Sequence, residues 1–367
     1  MKINFFHQAQ KAKKIKNKIF SATNSILKSG KYTNGPYVKK FEEKFKKLME
    51  AKYCVAVNNG TSALHLALVA LGIKRGDEVI VPSISFVASA AAITYVGAKP
   101  VFVDVNIDDW LINVNNIAKV ITKRTKAIIP VHLHGLMCDM RKIKKISKKF
   151  NLKIIEDASQ AHGSKYYKTS PGFYSDIATF SFYPTKNLGA IGEGGAVITN
   201  NKSISRKIAA LRAWAENKNS FFDIGYNYRM PELIAASLDA KISYLKNDIK
   251  KRILIANFYK KNLKNKNFST YDSSIKKNSY HLFAVRLKNR DKFRIELKKK
   301  GIDTAIHYKY CLPNLKIFSN YMKNRFNFKV GTKLSKELVS LPIYPELTKK
   351  QQLYIIKISN DYFSNNN

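Results

Sequence analysis

The sequence predicts an α/β protein: a large domain with a mostly parallel central sheet sandwiched by helices, followed by a smaller α+β C-terminal domain. Two observations carry this. From about residue 52 to 200, short apolar runs alternate with helical patterns, the signature of strands joined by crossover helices. Those runs are β-branched and apolar without strict alternation, as expected of strands covered on both faces.

In order, YCVAVN is followed by the helical TSALHLALVALG, and DEVIVP by VASAAAITYVG. PVFVDV comes next, then KAIIPV with the helical MRKIKKISKKF, then KIIED, IATFSFY and GAVITN. Residues 231–245, PELIAASLDAKISYL, read as a long helix leading out of this region, with Pro231 tolerated in its first turn. Beyond it lie a strand, HLFAVRL, and a helix, KFRIELKKKG, whose last turn Gly301 ends. The expected division is a helical arm over 1–30 that packs with the small domain, a large domain over 31–245 and a small domain over 246–367.

At 367 residues the chain is long enough for one large core and a second lobe. Hydrophobic residues make up 45% and charged residues 25%, which excludes a disordered chain. No apolar run is long enough to span a bilayer, and the N-terminus shows no signal-peptide pattern. Cys54, Cys138 and Cys311 are widely spaced and odd in number, which fits a reducing cytoplasm and neither a disulfide framework nor a CxxC metal site. The 66 Lys+Arg against 25 Asp+Glu give a formal charge of +41. A nucleic-acid or membrane surface is one explanation. Basic residues, however, recur along the whole chain without a helix-turn-helix, RNP or zinc-finger signature, so a basic composition on every solvated face explains them better. Such a field would still attract an anionic small molecule.

Three segments carry chemistry. Asn59-Gly60-Thr61-Ser62-Ala63 lies between a strand and a helix, where free N–H groups and a glycine admit an anion; alone it reads rather as routine capping by Thr or Ser without a ligand. Ile154 to Gly163 (IIEDASQAHG) places Asp157 just past an apolar strand, where α/β sheets present ligand groups. Asp157 either keeps a pyridinium nitrogen protonated, making that ring an electron sink, or caps a helix or pairs with a lysine. Phe180 to Leu188 (FSFYPTKNL), ahead of the glycine-rich Gly192-Glu193-Gly194-Gly195, puts Lys186 where burial would lower its pKa and free its amine to form a Schiff base. Ser181, at that strand's end, has a hydroxyl suited to a cofactor phosphate. Phe86, in PSISFVASA, offers a flat ring that either covers a cofactor face or packs in the core.

Taken together, these segments resemble the DegT/DnrJ/StrS family of sugar aminotransferases, which have the fold-type-I aspartate aminotransferase architecture. The resemblance runs over nearly the whole chain, from GKYTNGPYVKKFEEKF through IIEDASQAHGS, FSFYPTKNLGAIGEGGAVITN and GYNYRMPELIAASL to IHYKY and VSLPIYPELT. It implies pyridoxal 5'-phosphate (PLP) as cofactor, Lys186 as the lysine bonded to it and Asp157 as the partner of its ring nitrogen. It further implies Gln160 beside the phenolic oxygen, Phe86 stacked on the ring, and Gly60, Thr61, Ser62 and Ser181 around the phosphate. Asn227 is similar to a family asparagine that reaches the phosphate across a dimer interface, implying a homodimer with shared active sites. The resemblance also implies that Arg229 shapes the same region and meets a substrate carboxylate, and His307 and Tyr308 match a His-Tyr pair near the sugar pocket, so all three are expected to bind substrate. The proline that usually follows that pair is replaced here by Lys309.

The implied reaction moves an amino group from an amino acid, L-glutamate in the family, to a keto group of a nucleotide-linked deoxysugar, giving an amino sugar nucleotide for surface glycans. Freed Lys186 is the general base placed to move the proton. One alternative is the sugar-nucleotide dehydratase branch of the same fold, which has histidine at the position of Lys186. Others are a non-catalytic regulatory or nucleic-acid-binding relative, prompted by the charge, and a fold-type-I enzyme acting on amino acids.

Overall fold

The computed structural model describes residues 1–216, 220–221, 223–265, 275–321 and 327–365. Its strands are β1 (Tyr53–Val57), β2 (Glu78–Pro82), β3 (Lys99–Val103), β4 (Thr125–Ile128), β5 (Lys153–Asp157), β6 (Lys165–Tyr166), β7 (Ile177–Ser181), β8 (Gly195–Thr199), β9 (Lys276–Lys277), β10 (Phe283–Arg286) and β11 (Leu338–Leu341). Seven of them form one sheet in the order β1-β8-β7-β5-β4-β2-β3. Every pairing is parallel except those of β8, which runs antiparallel to both β1 and β7.

The helices are α1 (Gln8–Ser29), α2 (Pro36–Leu48), α3 (Gly60–Ala70), α4 (Ala88–Tyr95), α5 (Val114–Ile117), α6 (Met140–Phe150), α7 (Lys202–Leu211), α8 (Glu232–Ile242), α9 (Leu245–Asn262), α10 (Arg290–Lys299), α11 (Lys329–Glu337) and α12 (Lys349–Asn365). The helix expected over 231–245 stops at Ile242, with Pro231 as its N-cap, and α9 starts afresh at Leu245. Among the described residues no helix is long and apolar enough to cross a membrane.

Successive side chains of a strand point to opposite faces, and here they enter two separate cores. Ala178 and Phe180 of β7, with Ala196 and Ile198 of β8, pack against Val38, Phe41 and Phe45 of α2 and Ala235 and Leu238 of α8. The intervening Ile177 and Val197 pack with Leu64, Ala67 and Leu68 of α3. On the α2 face, Phe45 meets Phe180 and Phe182 edge-on at 5.0 and 5.1 Å between ring centroids, and Phe41 meets Phe182 at 5.1 Å. Each such pair contributes about 0.5–1.5 kcal/mol beyond the area it buries. With both phenylalanines held on that side, Ser181 between them is turned toward the N-terminus of α3.

The second lobe pairs β10 with β11 antiparallel and packs α9, α10 and α12 around them through Tyr259, Phe283, Phe293, Leu297, Val339 and Ile355. The first residues of the chain join it: Ile3 is buried in that core and pairs with Ile302. The helix α1 instead packs on the large domain, through Ala22 and Ile26 against Ala236 of α8. The N-terminal arm therefore touches both lobes.

One buried carboxylate ties α8 to the start of α2. Glu232 is fully buried, and its side chain accepts the backbone N–H groups of Gly35, Tyr37 and Val38 at 2.8–2.9 Å. It caps a helix remote in sequence and satisfies donors that helix geometry leaves free. Glu232→Ala should strip three partners at once and cost about 3 kcal/mol. In a thermal melt that is a midpoint lower by about 4 °C, with Glu232→Gln losing less. An unchanged midpoint for the alanine variant would show that the contact is not structural.

Candidate active site

The C-terminal ends of β5 and β7, the N-terminus of α3 and the turn after β7 converge on one cavity of about 1190 Å³. Asp157, Gln160, Ser181 and Lys186 line it, as do Gly60, Thr61, Ser62 and Phe86. His307 and Tyr308 reach it from the second lobe. Ten of the twelve residues singled out in the sequence thus share one space.

At the floor, Asp157 ends β5 and is buried. Its carboxylate accepts the Ser89 hydroxyl at 2.7 Å and the Ser159 N–H at 3.1 Å, and Ser89 is itself 2.7 Å from the hydroxyl of Ser85. Among the described residues Asp157 forms no ion pair with a lysine; its bonded partners are these small donors, and it lines the cavity. Lys186 follows β7 by five residues, its backbone N–H held by Tyr183 O at 2.9 Å. Burial disfavours its ammonium and brings the pKa down to about 8, while the charge of Asp157 acts in the opposite sense.

The wall opposite is the N-terminus of α3. The cap is Asn59, whose side chain accepts the Ser62 N–H at 2.8 Å. Thr61 and Ser62 are therefore not the caps, and the Gly60 and Thr61 N–H groups are left to face the cavity without intrahelical acceptors. This end packs directly on the sheet: a Cβ at Gly60 would lie 2.7 Å from the Cβ of Ser181, and one at Gly195 would lie 2.3 Å from the carbonyl oxygen of Asn59. Only glycine allows that approach. The result is a pocket of backbone N–H groups beside the Ser181 hydroxyl, suited to a dianion.

Gln160 links the floor to the second lobe. Its Oε1 accepts the His134 N–H at 2.6 Å, and its Nε2 donates to the hydroxyl of Tyr308. His134 is placed by a buried pair behind it: the Cys138 N–H donates to His132 Nδ1 at 3.2 Å, so Nε2 carries the hydrogen and donates to Glu156 at 2.6 Å. Glu156 also accepts the Gly172 N–H and the Ser175 hydroxyl. Sequence reasoning missed this support; the alternation in IIED, which turns Glu156 away from Asp157, was its only signal. His307 is 3.0 Å from the Ser340 hydroxyl, and burial, then the nearby charge of Lys186, lowers its pKa to about 4. His281, also missed, lines the cavity with its Nδ1 buried, and burial likewise holds its pKa well down. Both imidazoles are neutral at physiological pH, so neither competes with Lys186 as a cation.

Asn227 and Arg229 stand apart. Asn227 is exposed and accepts a bond from Arg229 Nη2 at 3.1 Å, and neither residue lines the cavity of its own chain. Tyr228 between them does line it, with its hydroxyl 3.2 Å from His65 Nδ1. Extended backbone, bridged to Ala213 and Val57, alternates the three side chains in this way.

Residues 13–359 match the DegT/DnrJ/EryC1/StrS aminotransferase family. A dTDP-3-amino-3,6-dideoxy-alpha-D-galactopyranose transaminase of Aneurinibacillus thermoaerophilus is 40% identical over 364 residues, 98% of this chain and 99% of that protein. Among solved structures, DesV of S. venezuelae, in complex with a ketimine intermediate, superposes with a TM-score of 0.95 at 33% identity and 98% coverage of both chains. NtdA of Bacillus subtilis, with bound cofactor PMP, gives a TM-score of 0.90 at 30% identity, covering 99% of this chain and 85% of that one. The agreement extends from the first helix to the last, and on it this chain belongs to the DegT/DnrJ/EryC1/StrS aminotransferase family.

Proposed function

We propose that this protein is a PLP-dependent aminotransferase that transfers an amino group from an amino acid, L-glutamate first among candidates, to the keto group of a nucleotide-linked deoxysugar. The product is an amino sugar nucleotide for surface glycans, made in the cytoplasm by a homodimer. The observation that carries this reading is a single lysine amine, brought to a pKa of about 8 by burial, in a cavity whose floor is a buried carboxylate and whose wall is a helix N-terminus.

The residues fit the cofactor. The α3 N-terminus, packed so closely on Ser181 that a Cβ at Gly60 has no room, supplies N–H and hydroxyl donors for the phosphate. Asp157, facing the cavity with donors on its other side, would hold the ring nitrogen protonated. Gln160 would meet the phenolic oxygen, and Phe86, exposed on the cavity wall, would cover a ring face. When bound, PLP supplies an electrophilic aldehyde and a ring that stores the electrons of a broken C–H bond. Lys186 would hold it through Nζ. Once that amine is free, a pKa near working pH lets Nζ both take and return a proton at neighbouring carbons. The Glu156–His132 pair keeps Gln160 in place through the His134 N–H. In the homodimer proposed, Asn227 and Arg229, which do not line their own cavity, would enter the partner subunit's, where Asn227 would reach the phosphate.

A lysine at position 186 favours transamination over the dehydratase branch. The +41 charge motivates a nucleic-acid role, but the cavity and its contents belong to catalysis.

Two outcomes test this. With glutamate and a panel of keto sugar nucleotides, 2-oxoglutarate and an amino sugar nucleotide should form together, and Lys186→Ala should lower the rate by more than about 10³-fold. Loss of a sugar hydroxyl instead of gain of an amine would favour the dehydratase. In the cofactor-free protein, acylation of Lys186 should rise with pH around a midpoint near 8, against about 10 for solvated lysines. Because Asp157 holds that midpoint up, Asp157→Asn should move it lower; a native midpoint near 10 would contradict a desolvated amine.

A further inference from the structure

The mouth of the cavity carries a feature that the transfer chemistry does not use. Tyr308 adopts a positive φ of 63°, a sharp turn in the chain. Its hydroxyl is held by Gln160, and three residues on Cys311 is buried while the Leu312 N–H donates to Ser83 O at 2.8 Å. Between these anchors Lys309 and Tyr310 project, exposed, from a segment fixed at both ends, and both line the cavity. The Lys309 ammonium lies 5.5 Å from the centroid of the Tyr310 ring, so a cation and an aromatic face stand side by side.

Charge singles out this pair. Among the described residues, Lys186 and Lys309 are the two lysines lining the cavity, and no arginine lines it. Lys186 lies at the floor and is committed to the cofactor; the α3 N-terminus is committed to its phosphate. A nucleotide's diphosphate would find Lys309 as the remaining lysine of this chain among the described lining residues. The rim is also rich in exposed rings: Tyr310, Tyr95, Tyr183 and Phe86 are 56%, 60%, 48% and 64% exposed, and all line the same cavity. Large rings left to water around one opening mark a surface that a ligand covers.

We propose that Lys309 and Tyr310 form the diphosphate end of the acceptor site, Lys309 meeting the phosphate oxygens and Tyr310 stacking on the base. This deepens the sugar-nucleotide reading above and rests on it. Lys309 contributes as a point charge without a fixed fork, so its effect is electrostatic and salt-sensitive.

The test is calorimetric titration of the PLP-loaded protein with UDP, dTDP and GDP and with the matching nucleosides, at low and high salt. At least one nucleoside diphosphate should bind. Lys309→Ala should weaken it about tenfold and flatten its salt dependence, with Lys309→Arg recovering most of the affinity. Binding of the bare nucleoside should respond to Tyr310→Ala and not to Lys309→Ala. Conversion of the bound cofactor by glutamate alone, followed by absorbance, is the control. If Lys309→Ala binds the diphosphate like the native protein, or weakens nucleoside and diphosphate alike, the assignment is overturned while the aminotransferase reading stands. If the native protein is not converted by glutamate, the aminotransferase reading fails first, whatever Lys309 does.

Discussion

An amine kept out of water above a buried carboxylate is the constraint on which the rest of this molecule depends. Moving Lys186 from its ordinary value to a pKa of about 8 represents about 3 kcal/mol of disfavoured charge. The charge of Asp157 offsets part of that cost. β5 and β7 are parallel neighbours, so Asp157 and Ser181 end at the same edge of the sheet. The chain then turns back under its own strand, with the Ala190 N–H bonded to Phe182 O, and this turn brings Lys186 into the cavity that Asp157 also lines. The strand order places the α3 N-terminus beside both. Asp157 moderates the desolvation, which is why the amine is depressed to a useful range and not extinguished.

The lobes are joined through the same place. Tyr308 comes from the second lobe and bonds Gln160, which is held by the His134 backbone, which in turn rests on the His132–Glu156 pair beneath the sheet edge. A side chain three residues after Asp157 thereby reports on the position of a loop more than a hundred residues later. The N-terminal arm closes the ring: Phe5 packs 5.6 Å from His307 between ring centroids, and Phe6 lines the cavity. Asp157 and Ser181 come from strand ends, while Lys309 and Tyr310 come from a loop of the second lobe, a division expected where one scaffold serves many ligands.

How much was legible beforehand follows from what each element depends on. Lys186, Asp157 and Ser181 could be read because each lies at a fixed offset from an apolar strand, and strand ends in α/β sheets are where ligands meet side chains. The parallel sheet followed from its buried, non-alternating strands. The reversed β8 was not legible: GAVITN is as apolar as its neighbours, and direction depends on a short connection that could have gone either way. Asn59 was hidden behind Thr61 and Ser62, since all three are good caps and only the helix start decides among them. His281, Ser89 and the Glu156–His132 pair were silent because their roles come from contacts between distant segments. Asn227 and Arg229 came from the resemblance alone, and neither lines the cavity.

Out of a strongly basic chain, one amine, that of Lys186, is proposed to bond the cofactor. Borohydride reduction of the PLP-loaded protein, followed by proteolysis and mass spectrometry, fixes the cofactor wherever it is attached. The account predicts a single modified peptide carrying Lys186. Modification at another lysine, or scattered over many, would contradict it.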